Sequence, residues 1–198
     1  MTGAQWLLPR LAEGTFEVRM TVPACFAACA RVFYPFARPN VISPALTRWA
    51  VVARRNGRMP HAETERKTIT RSVPGLPGEP QGFTPGDVLP SLPSEQFGAL
   101  AAILARHTAT ADRTWFCIWE GYGNLGLSSA AGRTLARLHR PMRDYVVFTG
   151  PVDAWRALAD GGHSSHPEYW WPDDRAWCFA TDTDFHWTYI RCREPRLH

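Results

Sequence analysis

The sequence predicts an α+β protein, with helices packed on a largely antiparallel sheet of about four or five strands. Three observations lead there. TWFCIW (114–119), YVVF (145–148), AWCFAT (176–181) and FHWTYI (185–190) are short runs of β-branched and aromatic residues bounded by turn formers. Helical periodicity instead marks segments nearer the start of the chain, around 43–57 and 94–107. The strands do not alternate regularly with long helices, which argues against a doubly wound parallel sheet.

Residues 1–21 have no persistent period. Cys25 to Phe36 reads as a short helix ended by Pro35, with Cys25 and Cys29 one helical turn apart and buried as small side chains. The next helix is capped by Ser43, takes Pro44 in its first turn, and places Leu46, Trp49 and Val52 on one face. Arg54 and Arg55 suit its C-terminus, and Gly57 stops it. Residues 73–93 carry Pro74, Pro77, Pro80, Pro85, Pro90 and Pro93, so this stretch is irregular connecting chain. Ser94 caps a helix whose buried stripe is Phe97, Leu100 and Leu104, with His107 near its end.

TWFCIW is apolar on both faces, as a central strand would be. A helix around Thr134 to His139 ends before Pro141, and another contains Val152, Trp155 and Leu158. AWCFAT and FHWTYI pair as a hairpin across Asp182 to Asp184.

A chain of 198 residues suits one domain spanning 1–198, with 73–93 as its Pro/Gly-rich connection. Seven of its nine tryptophans lie from Trp115 onward, so the second half supplies most of the aromatic core. The formal charge is +4, and Arg54 to Arg71 alone holds six basic and two acidic residues. A solvated helix end and loop explain that cluster, which is no nucleic-acid footprint by itself. Five cysteines, an odd number, without a secretory signal favour reduced thiols in the cytoplasm. No apolar stretch approaches the roughly 20 residues of a membrane helix.

RWAVVARRNG, WFCIWEGYG, YVVFTGP and WWPDDRAWCFATDTDFHWTYI resemble segments of a family of uncharacterised actinobacterial proteins, over roughly residues 29–190. WWPDDRAW is the most distinctive of them. The resemblance implies an intracellular protein and brings no established chemistry with it. Before Pro35, where the related pattern often has a histidine, this chain has Tyr34. Size and aromatic, mixed α/β character also give a looser similarity to the SMI1/KNR4-like immunity proteins.

Two segments suggest a binding surface. Glu120, Gly121, Tyr122 and Gly123 follow an aromatic strand, where a carboxylate can meet a ligand or simply pair with an arginine. Trp170, Trp171, Pro172, Asp173, Asp174 and Arg175 set two indoles beside charges, as a contact surface or as a buried cap with satisfied turn amides. Asp182, Asp184 and His186 would share one sheet face if extended, and could then hold Mn²⁺, Fe²⁺ or Zn²⁺. As turn residues they would bond backbone amides instead. His163 and His166 fall in a polar loop, and no HExxH, G-x-S-x-G or CxxC motif occurs.

The leading expectation is a non-catalytic protein- or peptide-binding module, regulatory or immunity-like, without a cofactor. Its surface would comprise Glu120, Tyr122, Trp170, Trp171, Asp173 and Arg175. The alternative is a small-molecule or metal-dependent enzyme with Glu120, Asp182, Asp184 and His186 at one cleft.

Overall fold

The structure, a computed structural model, describes residues 3–11, 21–37, 45–74, 83–122, 136–141, 143–160 and 166–193. The chain forms two compact units. The first comprises Met1–Ala30, Pro93–Asp184 and Thr188–His198, and the second Arg31–Leu92 with Phe185–Trp187.

The protein is α+β, but its sheet has seven strands rather than four or five. These are β1 (Ala28–Phe33), β2 (Thr114–Trp119), β3 (Arg137–Arg140), β4 (Arg143–Gly150), β5 (Tyr169–Pro172), β6 (Trp177–Ala180) and β7 (Trp187–Cys192), in the order β1-β7-β6-β5-β2-β4-β3. The helices are α1 (Trp49–Arg55), α2 (Arg66–Ile69), α3 (Ser94–Ala105) and α4 (Trp155–Asp160).

Three strands were not anticipated. Residues 28–33 are strand β1, not helix, and Cys25 and Cys29 are exposed. The fourfold spacing of two small cysteines suggested a helix; Val32 and Phe33, which favour extended chain, and the neighbouring edge of β7 decide otherwise. The expected helix around 134–139 is replaced by β3, which pairs antiparallel with β4 from Arg137↔Val146 to Arg140↔Arg143. The WWP run forms β5, inserted between β2 and β6. The expected β6–β7 hairpin is present, with Ala180↔Tyr189 and Trp177↔Cys192 in register.

Both faces of the central strands are covered by aromatic side chains, with Trp115, Trp119 and Phe148 left partly exposed. Phe116 lies opposite Phe148 and Trp170, and Trp170 opposite Phe179. On that face Phe97 of α3 meets Trp170 at 5.7 Å, Phe179 at 5.6 Å and Trp155 of α4 at 4.8 Å. The Trp177 indole donates to the Leu104 carbonyl at 2.9 Å, tying the helix end to β6. Alternation sends Trp171 to the other face, where it stacks on Trp115 at 6.5 Å and meets Trp6 at 5.7 Å. The N-terminal segment, which lacks any period, supplies that second cover through Trp6 and Phe26. In α3, Phe97 and Leu104 are buried as expected, while Leu100 is half-exposed. Ser94 is its first residue, and Pro93 precedes it without a side-chain cap.

In the second unit Phe36 bridges to Thr47 and Val88 and packs on Trp49 and Phe83. The Trp49 indole donates to the Tyr34 carbonyl at 2.6 Å. Helix α1 begins at Trp49, later than expected; Ser43 and Pro44 lie outside the described residues, and Leu46 is exposed. Asn56 then closes α1 and Gly57 follows at φ 67°, a left-handed conformation in which a Cβ would be strained.

Candidate functional site

Titratable groups gather at one end of the sheet in the first unit, where β2 finishes. The β2–β5 ladder stops at Cys117↔Tyr169, so the Trp119 N–H, two residues on, needs another acceptor. It donates to Glu168 Oε2 at 2.8 Å, and the Tyr122 hydroxyl donates to Oε1 at 2.6 Å. The Glu168 backbone is fixed on both sides, its N–H bonding the Cys117 carbonyl and its carbonyl accepting from Thr181. Only 1% of Glu168 is exposed. Burial pushes its pKa up to about 7 from 4.5; the bonds from Tyr122 and Trp119 oppose that rise, and the Asp182 charge adds to it.

Around this acid runs a rim of arginine pairs. Arg137 Nε donates to Glu120 Oε1 at 2.8 Å. Arg143 spans two carboxylates, with Nη1 3.0 Å from Asp182 and Nη2 3.1 Å from Asp184, and its guanidinium lies over the Trp119 ring at 4.8 Å. Arg140 donates to the Tyr169 hydroxyl. Trp119 packs edge-on against Tyr122 at 5.3 Å. A Cβ on Gly121 would overlap that indole, so glycine serves close approach there. Burial pushes Tyr145 up to about 12 and raises Tyr169 well above its ordinary value, so both phenols stay protonated at neutral pH.

The surface expected from sequence divides in two. Glu120 and Tyr122 belong to this rim, whereas the Trp170–Arg175 segment lies towards the start of β2, with the Asp173 N–H bonded to the Arg113 carbonyl. Seven residues of roughly 3.3 Å rise separate Arg113 from Glu120, or about 20 Å. Trp170 and Trp171 are 0% and 1% exposed, so neither indole offers contact surface. Asp174 fastens the β5–β6 turn, accepting from the Ala109 and Ala176 N–H groups and from the Thr108 hydroxyl. Asp173 and Arg175 are exposed; Asp173 accepts from the Trp115 indole, and Arg175, at φ 55°, lies over Trp6 at 5.2 Å. This segment is a structural cap with a charged crest.

Asp182, Asp184 and His186 do not share a sheet face. Asp182 Oδ1 accepts the Asp184 N–H at 3.0 Å, which makes the pair a turn, and the Arg143 guanidinium supplies the positive charge that a metal would. His186 belongs to the second unit, where it contacts Arg66 and the Leu89 carbonyl. Burial and the Arg66 charge lower its pKa, against the bond to Leu89. Among the described residues no group of three or more His, Cys, Asp or Glu side chains could hold a metal ion.

Glu168 escaped the sequence reading; its place at the start of the aromatic run EYWW was the one signal, since burial there requires partners or a proton. His166 does lie in the chain between α4 and β5, but its side chain is buried. It packs on Phe97 at 4.0 Å, and burial lowers its pKa to about 4. His163 and Gly123 lie outside the described residues.

Comparison of the chain with protein-family models, curated proteins and solved structures yields no match. No helix among the described residues is long and apolar enough to cross a membrane.

Proposed function

We propose that this chain is a non-catalytic protein- or peptide-binding module of the cytoplasm, and that it contacts its partner through the polar end of its sheet. The observation that carries this reading is the state of the rim acids. Glu120, Asp182 and Asp184 are each already held by an arginine. Fixed ion pairs impose geometry on a partner, whereas acid–base turnover needs a group free to lose and regain its proton. Trp119 and Tyr122, both partly exposed, add aromatic contact beside those charges. Asp173 and Arg175 form a separate crest of secondary weight. A regulatory or immunity-like role rests on the looser similarity in size and mixed α/β character to the SMI1/KNR4-like immunity proteins.

One observation favours the enzyme alternative. Glu168, poised at about 7, could exchange a proton at neutral pH. Its two oxygens are both engaged, which favours a fixed hydrogen-bonding role.

Pull-down from native lysate followed by affinity measurement separates the two. Arg143→Ala and Tyr122→Ala, checked for native fold, should weaken the captured partner by about tenfold or more. If both bind normally while Glu168→Gln abolishes a turnover, the enzyme reading replaces this one.

A further inference from the structure

The second unit carries the whole positive excess of the chain. It holds nine basic and four acidic residues, net +5, against thirteen and fourteen, net −1, in the first unit. Much of this charge surrounds one buried side chain. Asn56 Nδ2 donates to the Ile69 carbonyl at 2.8 Å, and its Oδ1 accepts from Ser72 Oγ at 3.0 Å. The Asn56 carbonyl accepts from the Val73 N–H at 3.1 Å. These bonds bring the end of α1 and the chain after α2 together, so Arg54 and Arg58, which flank Asn56 in sequence, are tied to the segment that carries Lys67 and Arg71. Arg58 Nε donates to the Arg71 carbonyl, holding two cationic residues side by side.

Helix ends explain only part of this arrangement. Arg54 lies in the last turn of α1, where a cation suits the dipole. Arg58 and Arg71 lie beyond the helices. Among the described residues none of Arg54, Arg58, Lys67 and Arg71 has a carboxylate within ion-pair distance, although Glu63 and Glu65 are close in sequence. Next to Arg58, Met59 is 86% exposed, the largest exposure among the large hydrophobic side chains described.

We propose that the Asn56-centred platform, Arg54, Arg58, Met59, Lys67 and Arg71, is a docking surface for an acidic protein segment bearing an apolar side chain. The cations supply charge complementarity and Met59 a flexible apolar contact. A nucleic-acid strand fits less well. Trp49, Phe36 and Phe83 of the same unit are buried and cannot stack on bases. The surface is distinct from the rim of the first unit, and its test is independent of that reading.

The full chain is titrated with a fluorescently labelled Glu/Asp-rich peptide containing one central leucine, and separately with a single-stranded RNA of equal length, following anisotropy. The peptide should bind, and weaken as salt rises from about 50 to about 200 mM. Arg54→Glu/Arg71→Glu should weaken it by about tenfold and Met59→Ala by about threefold, with the rim variant Tyr122→Ala unchanged. Arg54→Gln and Arg71→Gln, singly, give the same direction if the double reversal disturbs folding, which circular dichroism monitors. Absence of peptide binding, an affinity unchanged by loss of charge, or tighter binding of the RNA overturns the proposal.

Discussion

Two buried groups in the first unit should make stability nearly independent of pH over a window where each alone would tilt it. Glu168 keeps its proton up to about 7 when folded, against 4.5 ordinarily. Through that interval the unfolded chain binds fewer protons, so stability falls as pH rises. His166 behaves oppositely: its folded value is about 4 against 6.5, the unfolded chain binds more protons, and stability is lost as pH falls. At about 1.4 kcal/mol per pKa unit, each displacement is worth about 3 kcal/mol. The two slopes oppose each other between 4.5 and 6.5 and largely cancel. Glu168→Gln removes the falling limb and keeps both contacts, since its carbonyl can accept from Trp119 while its amide donates to the Tyr122 oxygen. The variant should be about 3 kcal/mol more stable than wild type near pH 8, with stability rising from acid to neutral pH. His166→Gln should show the reverse tilt. His186 reinforces the rising limb, and Asp174, whose pKa is lowered, gives up its stabilisation only below 3.8. Urea unfolding followed by tryptophan fluorescence at several pH values measures the slopes. Identical pH profiles for wild type and Glu168→Gln would refute the reasoning, because they would mean that Glu168 titrates as an exposed acid.

The remaining expectations follow from burial and bonding. Trp171→Ala should cost about 3–5 kcal/mol in denaturant unfolding through a core cavity, so any binding loss would track the unfolded fraction. Asp174→Ala releases two backbone amides and the Thr108 hydroxyl, and should cost about 2 kcal/mol by the same measurement. Thiol titration of the native protein should find Cys25 and Cys29 reacting first and Cys192 later; Cys117 and Cys178, buried with raised pKa values, should react only after denaturation.

Much of the sheet was legible because its strands are long in β-branched and aromatic residues. β2, β4, β6 and β7 needed no partner information to be recognised. β3 and β5 were hidden for different reasons. RLHR has a single apolar residue, and only its ladder with β4 makes it a strand. WWP leads into Asp-Asp-Arg, so turn chemistry masked a strand that places one indole on each face. The exposure of those indoles was misjudged because the cover over Trp171 comes from Trp6 and Phe26, in a segment with no pattern to announce it. The rim was half legible. Glu120 and Tyr122 follow from their place after an aromatic strand, but Glu168 joins them only because the β5 ladder ends early.

Arginine explains why the two units differ electrostatically. In the first unit its guanidinium is used as a shape as much as a charge. Arg143 bridges Asp182 and Asp184 while lying over Trp119, Arg140 bonds the Tyr169 hydroxyl, and Arg10 and Arg175 both lie over the Trp6 ring. An ammonium group cannot span two carboxylates and stack at the same time. Arg143 answers local acids, while Arg140, Arg10 and Arg175 answer a hydroxyl and an aromatic face. Around Asn56 the backbone is satisfied by amide and hydroxyl groups, and among the described residues Arg54, Arg58, Lys67 and Arg71 have no carboxylate within ion-pair distance. The +4 of the sequence is therefore not a diffuse property of the surface. It is the residue of one unit in which arginine is not matched by acid, and that imbalance is what gives an acidic partner something to neutralise.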